Sequence, residues 1–419
     1  MGKVERFRRA EKGDADATTL NMASAFSLEE GSPKWRRKRD LVHSEAEHFL
    51  VLEEDGGIVA TCVVHPHRLW VGRSQVLKGD VGEVSVLREL QGRGLGTRLV
   101  REVSRWMEEE GFHISRLGGL NRFYGRFGWV PFPRWYYEFP LTSVGAGASR
   151  LSVEEVLSLP EELRSRVRPY DPERDGKRRL ELYRLFYEGR TGALVREGSE
   201  PPGAGPHGLD FVYEREGEIV GYVAGVEYPG EVSPFEPKVA VHEAAFDLAS
   251  APESLWVLMK YVLLEAHRRG ALRVAARLPF DPAVERVLRE GKVYFQKVEL
   301  MSAYGSNMIK IVNLRRLLGA ISPTLEGRLS ALPYAWEGRV RLEVDGQEAV
   351  LVVEPSVQVD EGEAGNYIRC DAHTMMRLVL GLSSFGELEG TLEHDLPREA
   401  VATFSALFPR EPVATGPWG

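Results

Sequence analysis

Apolar and polar positions alternate with period two over "VERFRRA", which predicts a short strand. "DADATTLNMASAF" switches to helical spacing behind an aspartate start signal. "HFLVLEEDGGIVATCVVHPHRLWVG" returns to alternation on both sides of "DGG", the pattern of two strands joined by a hairpin turn. "GDVGEVSVL" reads as a third strand, followed by a glycine-rich loop and an amphipathic helix from about Arg98 to Glu110. Beyond Gly111, "HISRLGG" is a short strand, "NRFYGRFGW" a helical turn and "VPFPRWYYEFP" an aromatic-rich closing strand. The order β-α-β-β-β-α-β-α-β predicts a mixed sheet in a first domain, residues 1–148. Its boundary falls in the small-residue stretch "LTSVGAGASR".

The pattern then repeats. "FLVLEEDGGIVATCVV" from Phe49 returns as "FVYEREGEIVGYVAGV" from Phe211: a phenylalanine, alternating apolar residues, an acidic glycine turn, then Ile-Val. At the same distance downstream, "VHEAAFDLASAPESLWVLMKYVLLEAHRRGA" reads strand, loop, helix, but its loop "DLASAPES" holds no glycine. A duplicated fold whose second copy, 149–300, lost its glycines is the simplest reading. In a third unit, 301–419, "GRVRLEVDGQEAVLVVE" is strand-turn-strand on "DG" and "YIRCDAHTMMRLVLGL" a strand entering a helix. No catalytic or metal-ligand spacing occurs there.

Composition narrows the class. A chain of 419 residues exceeds one ordinary core and implies two to three domains. Its 43% apolar and 28% charged residues are those of a soluble globular protein. A formal net charge of −8 argues against a nucleic-acid partner and leans toward cationic ligands. Cys62 and Cys370 are the only cysteines, too few for a disulfide framework or a thiolate metal site. The first residues lack an apolar core, and no apolar run approaches membrane-spanning length. The expectation is a cytoplasmic protein without a membrane partner.

Candidate chemistry sits in "EVSVLRELQGRGLGTRLV". The strand "EVSV" puts Val84 and Val86 on one face and Glu83 and Ser85 on the other. Behind it, N–H groups from Gln91 to Thr97 can converge at a helix start, where unpaired donors and the positive end of the helix dipole attract phosphate. Arg93 adds a charge-assisted donor. The Walker pattern is absent, and the dinucleotide fingerprint has a different spacing. The spacing here, Gln91-x-x-Gly94-x-Gly96, is that of the acyl-CoA loop Q/R-x-x-G-x-G/A. A glycine-rich turn with no ligand is the alternative.

With "VSV", "RGL" and "FYGRFGW" in the first unit, the chain resembles the GNAT N-acetyltransferases, specifically the enhanced intracellular survival (Eis) type, over its whole length. The resemblance implies an α+β chain: two tandem GNAT-like mixed α/β domains, the second degenerate, and a C-terminal sterol-carrier-protein-type α/β domain. It implies acetyl-CoA as co-substrate, no metal, a primary amine as acceptor and a homo-oligomer, a hexamer in that family. Val84, Ser85 and Val86 would flank the thioester and pantetheine arm. Gln91, Gly92, Arg93, Gly94, Leu95, Gly96 and Thr97 would hold the pyrophosphate. Tyr124 matches the tyrosine taken to protonate the departing thiolate, and the free carboxylate of Gly419 the proposed base. The tail "PVATGPWG" has the family's length but ends in glycine where close relatives often have an aromatic residue.

Each assignment has a plainer rival. Tyr124 could be one more core aromatic, and an α-carboxylate is a weak base unless desolvated. Glu83, beside the active strand, is the second candidate base. His65 and His67 share a strand face but lack a third metal ligand. Glu29 and Glu30 could receive a cationic amine or be an ordinary solvated loop. Trp129, Trp135, Tyr136 and Tyr137 could line an amine pocket or pack as core. Against the enzyme stands a lipid-binding protein that uses the third unit and carries a vestigial CoA loop. An apolar tunnel in that unit, or its absence, separates the two.

Overall fold

Among the described residues the strands form three sheets, and these are not drawn from consecutive thirds of the chain. The structure, a computed structural model, describes residues 5–141, 151–196, 198, 208–228 and 238–415. The predicted boundary segment therefore lies, but for its first residue, outside the described residues.

The first sheet contains β1 (Glu5–Arg9), β2 (Phe49–Glu54), β3 (Gly57–Val71), β4 (Ser74–Val86), β5 (Ile114–Leu117) and β6 (Val130–Pro131). A seventh strand, β14 (Met308–Ile311), is inserted between β5 and β6. All neighbours are antiparallel except β4 and β5. The "DGG" turn forms as predicted, with Asp55 and Gly56 at φ 52° and 84°, the mirror-type geometry that matches strand twist. Helices α1 (Ala15–Phe26) and α2 (Pro33–Ser44) precede β2, and α3 (Leu95–Glu109) joins β4 to β5. The pattern did not reveal α2, because Val42 is its only buried residue; its start is nonetheless written as Ser32, which caps the Trp35 N–H at 3.2 Å, and Pro33.

The second sheet runs β13 (Gln296–Leu300), β7 (Arg134–Pro140), β12 (Arg273–Ala276), β11 (Val239–Phe246), β10 (Glu218–Glu227), β9 (Gly208–Arg215), β8 (Val167–Pro169). Its hairpin, the helix Glu253–Arg268 and the parallel pair β11–β12 repeat the order of the first sheet. The Glu216–Gly217 turn has the same geometry, φ 54° and 84°.

The closing strand predicted for the first unit does not form as one strand. "VPFPRWYYEFP" is two strands, and the longer one, β7, belongs to the second sheet. Pro131 and Pro133 lack N–H donors and break the ladder between them. Tyr137 and Phe139, fully buried, then pack in the second core. The crossing is pinned by buried Asn307, whose amide donates to the carbonyls of Phe132 and Pro133 at 3.1 and 3.2 Å.

The third sheet, β17 (Val357–Asp360), β16 (Gln347–Val353), β15 (Gly338–Val344), β18 (Asn366–Cys370), β19 (Glu393–His394), lies under the helices Leu314–Leu329, Ala372–Val379 and Arg398–Leu407. Leu342, Leu351, Val353 and Ile368 meet Leu317, Ile321, Met376 and Phe404 there, none more than 1% exposed. These side chains fill the inner face between sheet and helices. Among the described residues, no helix is long and apolar enough to cross a membrane.

Candidate active site

Strand β4 is distorted near its end. Val63 pairs with Gly82 and Thr61 with Ser85, so Glu83 and Val84 together oppose Cys62. This is a β-bulge, and Glu83 takes φ 51° to make it. Pairing of β4 with β5 stops at Val81↔Leu117, although β4 continues to Val86. β5 ends at Leu117, so β4 runs on through the bulge without its parallel neighbour, and a cleft lies along Val84–Val86.

The glycine loop closes one end of that cleft. The Gln91 side chain turns back and donates to the Val86 carbonyl at 3.2 Å, tying the loop to the strand. Gly92 and Gly94 have φ 81° and 83°, which L side chains rarely adopt. α3 begins at Leu95, not Arg98, because the Arg98 N–H already bonds the Gly94 carbonyl at 3.0 Å. The N–H groups of Leu95, Gly96 and Thr97 thus form the first turn, without intrahelical acceptors. A Cβ on Gly96 would meet Val86 at 3.5 Å and Phe123 at 3.7 Å, ordinary contact, so an alanine fits there.

Val84, Ser85, Val86, Gln91, Gly92, Gly94, Leu95, Gly96, Thr97 and Tyr124 all line one cavity of about 700 Å³, together with Ala25, Phe26, Leu90, Leu120 and Phe123. That volume lies within the range of small-molecule sites. The Ser85 side chain faces inward and donates to Asn21 of α1 at 2.8 Å. Arg93 is not in the lining: its guanidinium bonds the buried Glu54 carboxylate at 2.8 Å. It braces the loop against β2.

Tyr124 ends the short helix α4 (Asn121–Tyr124). Phe123 and Trp129 meet its ring edge to face at 4.8 and 6.3 Å. A Cβ on Gly119 would come within 2.3 Å of the ring, so that glycine makes room for it. Burial pushes the Tyr124 phenol up to about 12, which keeps it protonated at neutral pH.

The remaining candidates scatter. Gly419 lies outside the described residues. Glu83 is half-buried and paired with Lys38 of α2. Glu29 and Glu30 sit exposed in the loop between α1 and α2. His65 lies 3.3 Å from Glu45, and His67 lies 2.7 Å from Asp80; no metal-holding group of side chains exists among the described residues. Trp129 is buried, and its ring already takes the Lys310 ammonium at 4.7 Å. Trp135, Tyr136 and Tyr137 belong to β7, away from the cavity; Tyr137 donates to the Pro279 carbonyl at 3.2 Å. Sequence reasoning missed Phe26, Leu120 and Phe123 as lining, and Asn21 as the partner of Ser85. A lone asparagine on the apolar side of α1 was the available signal.

Residues 6–132 match the family described as Acetyltransferase (GNAT) domain. The first sheet with its glycine loop is thus a GNAT acetyltransferase domain, set in a longer mixed α/β chain. The whole chain resembles the GCN5-related N-acetyltransferase from Kribbella flavida at 18% identity, covering 98% of this chain and 97% of that one, TM-score 0.68. A GCN5-related N-acetyltransferase from Anabaena variabilis gives 17%, 98% and 98%, with TM-score 0.67. Eis1 from Mycobacterium abscessus gives 16%, 98% and 99%, with TM-score 0.57. At these identities the likeness is one of fold. The sequence matches none of the curated proteins compared with it.

Proposed function

We propose that this protein is an acetyl-CoA-dependent N-acetyltransferase of the Eis type, acting on a primary amine by direct transfer. One observation carries the reading. The end of β4 that runs on past β5, the free N–H groups at the start of α3 and the protonated Tyr124 converge on a single cavity. That end of the strand offers backbone groups on its β5 side to an amide-bearing arm, and the helix start offers donors to a pyrophosphate. The amine nitrogen attacks the thioester carbonyl, the C–S bond breaks, and the sulfur takes the Tyr124 proton. The proton lost by the amine passes to a carboxylate. The Gly419 carboxylate is the reading's first choice, since Glu83 is held by Lys38.

The acceptor is an aminoglycoside-like or other amine, in keeping with the acidic net charge. Along the chain we read three domains, 1–148, 149–300 and 301–419, with β7 lent to the second sheet and β14 to the first; the last domain is of sterol-carrier type with the catalytic tail. The reading includes a cytoplasmic homo-hexamer. A thiol-release screen of an amine panel with acetyl-CoA tests the activity. Release that no amine accelerates, in a protein that binds acetyl-CoA, would sink the transferase reading.

A further inference from the structure

A second cavity, of about 220 Å³, lies between the first and second sheets and shares no lining residue with the glycine-loop cavity. His67 and Asp80 reach it from β3 and β4, Tyr183 and Tyr187 from the helix Pro172–Tyr187, and Glu243 from β11; Arg196, Arg277 and Ala414 also line it. Most of its polar groups are mutually satisfied. Asp80 Oδ2 faces His67 Nδ1 at 2.7 Å and the fully buried Lys78 ammonium at 2.9 Å. Arg196 Nη2 pairs with Glu243, which also accepts from the Tyr222 hydroxyl at 2.7 Å. The Arg196 guanidinium lies over the Tyr183 ring at 4.1 Å.

Two buried atoms in this wall have no hydrogen-bond partner among the described residues: Asp80 Oδ1 and Arg196 Nη1. One is an anionic acceptor, the other a cationic donor. Leaving either unmade forfeits the hydration of a charged group. A lone cation would serve Asp80 but not Arg196, and a lone anion the reverse. A molecule with both charges meets both needs. The space is below the 300–1,000 Å³ usual for larger ligands, so the occupant is small.

We infer that this interdomain cavity binds a small zwitterion of amino-acid size, its ammonium on Asp80 Oδ1 and its carboxylate on Arg196 Nη1. The inference does not use the acyl-transfer reading and stands or falls without it. Calorimetry on the full chain without acetyl-CoA tests it, with glycine, alanine, β-alanine and glutamine as probes, and acetate and ethylamine as single-charge controls. The expected result is saturable one-to-one binding of at least one zwitterion and of neither control. Asp80→Asn and Arg196→Gln should each weaken binding by roughly 10-fold or more, the scale of a lost charge-assisted hydrogen bond. Ala414→Leu, which fills the cavity and keeps both charges, should abolish it while acetyl-CoA binding stays at the parental level. No zwitterion binding at millimolar concentration, equal binding of the controls, or binding indifferent to Ala414→Leu would each overturn the assignment.

Discussion

Tyr124 holds its proton against a buried surround, and the same burial positions its ring between Gly119, Phe123 and Trp129. Tyr124→Phe removes the proton and little of the packing. It is expected to fold, bind acetyl-CoA normally and lose roughly 10²–10⁴-fold in kcat; a variant that keeps most of its turnover would return Tyr124 to the core. Gly94 and Gly96 of the loop differ in what they require. Gly94 needs its left-handed backbone, with open space around a Cβ, whereas Gly96 has ordinary φ and limited room. Gly94→Ala should therefore cost about 1–2 kcal/mol of strain and distort the donor array, weakening acetyl-CoA binding. Gly96→Ala should leave binding within a few-fold of the parent. Calorimetry on the pair checks this, and equal losses would mean that space, not backbone, sets the loop.

At the scale of elements, β14 matters most, because it joins β5 to β6 in the first sheet with residues from 308 onward. His113 fastens it: its carbonyl accepts from the Val312 N–H at 2.9 Å, and its Nδ1 accepts from the Leu77 N–H at 2.8 Å. Burial, with the charges of Arg316 and Arg68, lowers His113 to about 4, so the folded protein keeps it neutral. The unfolded chain takes up that proton near pH 6.5, and stability is therefore lost as pH falls from 6.5 toward 4. Melting temperatures across that window should drop in the parent and drop less in His113→Asn, whose side-chain oxygen can still accept from Leu77. An unchanged slope would assign the acid sensitivity elsewhere, with His242, also lowered to about 4, the next residue to replace. A fragment of residues 1–148 lacks β14 and strips β7 of both its neighbours. It should aggregate or melt without cooperativity. A fragment melting within a few degrees of the full chain would show that the exchanged strand is dispensable.

The three units are joined by crossing strands and by the tail. Val413 bridges to Phe280, the Ala414 N–H bonds the Thr191 carbonyl at 2.8 Å, and the Thr415 hydroxyl bonds the Leu278 carbonyl at 3.1 Å. The tail is thus fixed to the second unit as far as Thr415. If the Gly419 carboxylate is the base, a chain without its last four residues and a chain extended by a short C-terminal tag should both bind acetyl-CoA. Both should lose acetylation. Parental rates in both would move the base to Glu83. Light scattering tests the assembly: a 47 kDa species at micromolar concentration would remove the homo-oligomer.

The hairpins, the amphipathic α3, the glycine loop and the repeat were legible in the sequence because each rests on local rules: periodicity, turn chemistry, and a backbone that only glycine adopts easily. The family of the first unit followed from that loop together with "FYGRFGW". Which sheet a strand joins is not local. β7 and β14 exchange places because Pro131 and Pro133 break one ladder and Asn307 bonds across the gap, contacts separated by some 175 positions. Arg93 illustrates the same limit: its sequence neighbours suggest a phosphate ligand, while the fold brings Glu54 to it from 39 residues away. The run of β4 past the end of β5, the elevated Tyr124 phenol and the charged cavity between the sheets likewise arose only when distant segments were packed together, since burial and partner geometry belong to the tertiary structure and not to any window of the chain.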